Sequence, residues 1–193
     1  MHGLVVEGRA AWTRRWARRR LRRMDAVVLD TETTDLFGEI VQVAVVDLAG
    51  RVLLDTLVRP QGSIAAEAEA VHGITAEDVV DAPSFAAIAP QLLDVTRGRV
   101  VLAYNAHYDA EVVTAALAQA GYPDTHLSDR RAWRCLMRAR SRCTGLRWAA
   151  LGGEHQALGD CRAALEVLRA LPGSRPGRDL VLEGPRARVG DRR

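Results

Sequence analysis

The run Ala26-Val27-Val28-Leu29 leads directly into Asp30-Thr31-Glu32, and no other stretch constrains the fold as strongly. Its apolar residues follow one another without alternation, which is the pattern of a short strand buried on both faces. A chain containing such a strand must supply a layer above it and a layer below. Side-chain alternation places Asp30 and Glu32 on one face at the strand's end. Two acids on an exposed strand are commonplace. Behind the most apolar strand of the chain they are costly to bury unpartnered, and a shared cation is the natural partner.

The surrounding pattern completes an α/β reading. Residues 39–48 and 51–59, joined at Ala49-Gly50, predict a hairpin. Residues 64–71 predict a helix closed at His72-Gly73, and Thr75 caps the next turn with Asp78 three residues on. A helix over 84–97 follows Pro83, and residues 99–104 predict a second buried strand. Helices are predicted over 109–120, closed by Gly121, over 132–140, and over 160–171, stopped by Pro172-Gly173. Strands first, then alternating helices and strands, give an α/β layer fold with a mixed sheet.

Charge divides the 193 residues into three parts. All 27 basic residues are Arg, and the net charge is +3. Residues 1–24 hold eight Arg against Glu7, and residues 173–193 hold six Arg against three acids. The body between is therefore acidic by seven charges. Such a body repels nucleic acid unless cations neutralise part of it. The expected division is an Arg-rich N-terminal arm or helix over 1–24, a catalytic domain over 25–171, and a basic, disordered tail over 172–193. In the arm, Ala10, Ala17, Leu21 and Met24 share a helical face, and Trp12 and Trp16 stand one turn apart. A solvated basic helix and an electrostatic tether for a phosphate backbone fit that pattern equally. Three Cys without metal-ligand spacing read as reduced thiols, and no apolar run reaches membrane-spanning length. The expected location is the cytoplasm, without membrane attachment.

Two further acidic patches follow, Asn-Ala-His-Tyr-Asp at 105–109 and His-Gln-Ala-Leu-Gly-Asp at 155–160. Asp109 and Asp160 each precede a predicted helix, where an isolated Asp reads first as an N-cap. A helix start beside a strand end is also where α/β sheets bind ligands. His155 follows Gly152-Gly153 on an expected mobile loop. Surface decoration is the ordinary reading of such a His, and proton acceptance from an attacking water is the chemical one. Four carboxylates and one imidazole suffice to hold two divalent cations and a base, the equipment for hydrolysing a phosphodiester.

Taken together, the motifs resemble the DnaQ-like exonucleases, the DEDDh group of the ribonuclease H-like superfamily, over about residues 25–171. The resemblance rests on Asp30-Thr31-Glu32-Thr33-Thr34, on residues 105–109 and on residues 155–160. It rests also on Glu69-Ala70-Val71-His72-Gly73-Ile74-Thr75 with Asp81-Ala82-Pro83-Ser84-Phe85. It implies a ribonuclease H-like fold, a central mixed five-stranded sheet flanked by helices. It implies that Asp30, Glu32, Asp109 and Asp160 hold two Mg²⁺ or Mn²⁺ ions roughly 3.5–4 Å apart, with His155 as general base. Thr33, Leu36, His72 and Asn105 then belong to the substrate site, His72 being equally suited to stabilising its loop. Asp35 stands where the family usually has Gly, and Tyr108 where it usually has Phe.

The implied activity is 3′–5′ exonucleolytic release of 5′-mononucleotides, with single-stranded DNA or DNA ends favoured. RNA trimming and hydrolysis of a small nucleotide are the alternatives. A non-catalytic binding module on the same fold is disfavoured by the complete carboxylate set. Association with a DNA polymerase, in a proofreading role, is one version of the reading. Nothing after Leu171 reads as a folded polymerase tether, which favours a stand-alone enzyme.

Overall fold

In the computed structural model, residues 2–146, 150–152, 155–180 and 182 are described. Five strands form one sheet: β1 (Ala26–Thr33), β2 (Ile40–Asp47), β3 (Val52–Leu57), β4 (Val100–Ala103) and β5 (Trp133–Cys135). Their spatial order is β3-β2-β1-β4-β5. β1 pairs antiparallel with β2 and β2 with β3, while β1–β4 and β4–β5 are parallel. This is the mixed five-stranded sheet that the resemblance implied. β1 lies at its centre, which explains why its first four residues are all buried.

The two faces of β1 carry different layers. Ala26 and Val28 pack with Ala44, Leu102 and the apolar side of α7 (Ala157–Ala170). Val27 and Leu29 pack with Leu92 of α4 (Phe85–Thr96) and with Val113 and Leu117 of α5 (Ala106–Gln119). Each residue of the run thus has a core to enter. Two short helices, α2 (Ala66–His72) and α3 (Ala76–Val79), lie between the hairpin and α4. Thr75 and Asp78 form the expected reciprocal cap on α3, Thr75 N–H donating to the Asp78 carboxylate at 2.8 Å.

Several local expectations are corrected. Residues 132–140 are not one helix. They hold Trp133–Cys135 as β5 and then begin α6 (Leu136–Thr144). Three residues are too few to display a strand period, and only the pairing of Val101 with Trp133 reveals the strand. α5 starts at Ala106 and α7 at Ala157, three residues before the predicted starts. Asp109 and Asp160 therefore lie within the first turns, not at the caps.

The N-terminal segment is a helix, α1 (His2–Arg23), docked rather than frayed. Ala10, Thr13 and Ala17 are buried against α6 and the turn Leu171–Gly173, and small side chains permit that close approach. Arg14 and Arg18 donate to Ser174 O (3.4 Å) and Pro172 O (2.9 Å). Met24, predicted on the same face, is exposed because the helix has ended.

The expectation of a disordered tail fails for residues 172–180. The Arg140 guanidinium, buried on α6, clasps both carboxylate oxygens of Asp179 (2.8 and 2.6 Å), and Leu180 enters the core. A single acid opposite a buried Arg outweighs the Gly/Pro/Arg composition of the segment. Residues 1, 181 and 183–193, which fall in the predicted arm and tail, lie outside the described residues. Among the described residues no helix is long and apolar enough to cross a membrane.

Arg140 holds the Asp179 carboxyl below the usual Asp range. Its contribution is present at neutral pH and is lost as pH falls through that lowered value. Asp179→Asn is expected to lower stability at pH 7 by about 1 kcal/mol, less than a buried charged hydrogen bond contributes, because the Asp179 side chain is 44% exposed. Urea unfolding checks this, and the difference from the parent protein should vanish in acid.

Candidate active site

β1 carries Asp30 and Glu32 to its C-terminal end, on the face covered by α7. α7 brings Asp160 to the same place. One carboxylate oxygen from each of Asp30, Glu32 and Asp160 lies within 4.8 Å of the others. The position of α7 is set from the sheet. Gln42 is the register partner of Glu32, and its side-chain oxygen accepts a hydrogen bond from the Ala157 N–H (3.1 Å). The one polar residue in the run 40–46 thus pins the helix that delivers Asp160. Sequence reasoning missed Gln42, although its interruption of the run 40–46 is a readable signal.

Asp109 approaches from the other side of the sheet. It lies in the first turn of α5, is 3% exposed, and accepts a hydrogen bond from the Thr31 hydroxyl (3.2 Å). Thr31 points to the face opposite Asp30 and Glu32, so one strand supports carboxylates on both sides. Asp109 is outside the group of three ligand atoms but close enough to act on it electrically. Burial first, then Asp109, Asp160 and Glu32, raises the Asp30 carboxyl well above its ordinary range. Burial, then Asp160 and Asp109, pushes Glu32 up to about 7. Burial pushes Asp109 to about 7 as well, against the opposing Thr31 hydrogen bond. Acidic first-turn residues in α5 and α7 also direct two positive helix ends at the site.

This donor set fits a divalent cation. All the converging atoms are carboxylate oxygens, the ligands that Mg²⁺ and Mn²⁺ prefer. Burial first, and then mutual repulsion, makes the Asp30 and Glu32 carboxylates costly to ionise without a counter-charge. Cys161, next to Asp160, takes no part in it. Its thiol points into the core and donates to Ala44 O (3.3 Å).

The remaining predicted residues form a rim. A register shift between Glu32 and Thr33 turns the chain as it leaves the sheet. The Thr33 hydroxyl meets Tyr108 OH (2.5 Å) and donates to Asp35 O (2.7 Å). Leu36 is 79% exposed, and the neighbouring Phe37 ring packs on Tyr108 with centroids 5.1 Å apart. Phe37, also missed in the sequence, is held at φ 66°, a strained value for a bulky residue. His72 is buried. Its Nδ1 accepts from the Ile74 N–H (3.0 Å), so Nε2 carries the proton and donates to Thr33 O (3.2 Å). Both ring nitrogens are thereby used within the protein, and His72 acts on the rim by holding Thr33. Asn105 is exposed at the start of α5, where its backbone carbonyl accepts from the Tyr108 N–H (2.8 Å). Asp35 is exposed in the turn before Gly38.

His155 is not brought into the carboxylate group. It is exposed on a bend at φ 52°, one residue before the N-cap of α7. It therefore stands at the end of the helix that carries Asp160. Part of the loop predicted to carry it, residues 147–149 and 153–154, lies outside the described residues.

Known proteins place this arrangement. The family profile RNase_T, described as Exonuclease, matches residues 27–168. The chain is 33% identical over 170 residues to "Uncharacterized exonuclease CP81" of Escherichia phage 186, covering 76% of this chain and 88% of the phage protein. It is 33% identical over 95 residues to DNA polymerase III subunit epsilon of Escherichia coli K12, covering 43% of this chain and 39% of that protein. Among solved structures it is similar to Exonuclease X in complex with 5′ overhanging duplex DNA. That similarity has a TM-score of 0.50 and 29% identity, over 74% of this chain and 89% of the other. Since the profile runs from the second residue of β1 almost to the end of α7, the chain belongs to the DnaQ-like exonuclease family, hydrolases that act on nucleic acid.

Proposed function

We propose that this protein removes nucleotides one at a time from the 3′ end of a nucleic-acid strand by divalent-metal-dependent hydrolysis. The convergence of Asp30, Glu32 and Asp160 with Asp109 beside them is the observation that carries the reading. Asp30, Glu32, Asp109 and Asp160 would hold a pair of Mg²⁺ or Mn²⁺ ions, which supply charge compensation at the phosphodiester and acidify a nearby water. The carboxylates hold their ligand geometry through Thr31 and Gln42, which tie the two helix starts to the sheet. His155 accepts the proton of the attacking water at a ring nitrogen, and its exposed bend leaves the ring free to meet a substrate. Thr33 and Leu36 flank the terminal nucleotide, with His72 supporting Thr33 from behind and Asn105 exposed beside them at the start of α5. Asp35 adds one negative charge to that rim and disfavours a terminal phosphate there.

DNA is the favoured substrate, supported by the similarity to an exonuclease solved with overhanging duplex DNA. A partnership with a DNA polymerase has weaker support, since the epsilon subunit is matched over 39% of its length.

Single-stranded DNA and RNA oligonucleotides labelled at either end, incubated with Mg²⁺ or Mn²⁺, test polarity and sugar together. A 5′-labelled strand should shorten stepwise, while a 3′ label should be released at once as a mononucleotide. Stepwise shortening from the 5′ end would contradict the proposal.

Asp30→Asn should abolish cleavage, and in EDTA its melting temperature should fall less than the parent's as pH rises, because burial and three acidic neighbours oppose ionisation of the parent's Asp30 carboxyl. Mn²⁺ should raise the melting temperature of the parent protein and leave that of the variant nearly unchanged. Thr31→Val and Gln42→Met remove supports without removing a ligand, and each should lower activity by about 10–100-fold. Near-parental rates in both would show that the helix starts are held by packing alone.

A further inference from the structure

α1 has a face that its docking does not explain. Ala10, Thr13 and Ala17 point into the body, whereas Trp12, Arg15, Arg19 and Arg22 recur at three- and four-residue spacing on the opposite, exposed side. The stripe runs about 15 Å along the helix. Trp12 is 60% exposed. Arg14, Arg18 and Arg20 are engaged with Ser174 O, Pro172 O and the Asp25 carboxylate. Among the described residues, none of Arg15, Arg19 and Arg22 forms an ion pair. No acid lies in α1 beyond Glu7, and none in α6. At the seam of these two helices an open recess of about 510 Å³ is lined by Gly8, Arg9, Trp12, Thr13 and Arg142. Arg142 thereby joins the surface from a different element.

An exposed indole among unpaired guanidinium groups matches a single-stranded polynucleotide, which offers phosphates to the Arg side chains and a base face to the ring. An acidic polypeptide would use the charges but leave Trp12 without a purpose. The surface is separate from the carboxylates. α1 packs on the turn Leu171–Gly173, which follows Asp160 by about 16 Å along α7.

We propose that the α1–α6 face around Trp12, Arg15, Arg19, Arg22 and Arg142 is a second binding surface for single-stranded nucleic acid. It holds strand remote from the end that occupies the carboxylate site. The idea rests on the nuclease reading only for its purpose, since binding here needs no metal.

The test uses the full-length protein in EDTA and fluorescence anisotropy with a labelled long oligonucleotide over a salt series. The triple variant Arg15→Gln, Arg19→Gln, Arg22→Gln should bind more weakly, with the slope of log affinity against log salt reduced by about 2. Trp12→Ala should lose on the order of tenfold in affinity, and Trp12→Phe should recover most of it. With Mg²⁺, cleavage of a dinucleotide by these variants should match the parent protein, while cleavage of long strands at limiting concentration should fall.

An unchanged affinity and salt slope would overturn the proposal, as would equal loss of dinucleotide cleavage, which would make α1 part of the catalytic domain's integrity. Tighter binding of phosphatidylserine vesicles or polyglutamate than of the oligonucleotide, lost in the same variants, would also overturn it. Metal-independent binding with this residue dependence supports it even if no strand is cut, so its failure and that of the nuclease reading are distinguishable.

Discussion

Crowded like charge at the end of β1 is the constraint around which the rest of the protein is arranged. Two carboxylates separated by less than 5 Å repel by roughly 3–4 kcal/mol at an effective dielectric of about 20. Several such pairs are comparable to the whole stability of a domain, about 5–15 kcal/mol. The fold must therefore be rigid enough to hold the acids in place, and the acids must gain a proton or a cation. Raised affinities of Asp30, Glu32 and Asp109 are the first outcome, and a divalent ion is the second. The rigidity comes from what lies behind them. β1 is paired on both edges and covered on both faces, and Thr31 and Gln42 attach one helix start each.

The same constraint accounts for the distribution of charge along the chain. A body that concentrates acids must still attract a polyanion, and α1, with eight Arg against Glu7, carries the largest block of compensating charge. α1 is docked through small residues and through carbonyls at the end of α7, leaving one basic side turned outward. Arg140 uses its charge inward, closing the segment after α7 over the core through Asp179. Arg thus serves two separate purposes here, and burial decides which one a given residue serves.

Much of the carboxylate site was legible because its chemistry is local. Asp30 and Glu32 share a face by strand alternation alone, and the unbroken apolar run before them announces a central strand. Asp109 and Asp160 were legible as helix-start acids, but their depth within the first turn was not, because Asn105 and Gln156 take the cap positions without a side-chain cap bond. His72 was read as either a nucleotide contact or a loop support. Only the directions of its two hydrogen bonds favour the second. Phe37 escaped notice because an aromatic in a polar turn has no periodicity to mark it.

By itself the sequence determined the strand that must be buried, the acids that follow it, the hairpin, and the caps around Thr75, since each depends on residues a few positions apart. Tertiary structure decided which three carboxylates meet, the three-residue strand β5, the seat of the segment after Pro172, and which side of α1 remains in water. Those outcomes depend on partners far away in the chain, such as Gln42 with Ala157 and Arg140 with Asp179. A sequence pattern carries the period of an element, and only packing selects its neighbours.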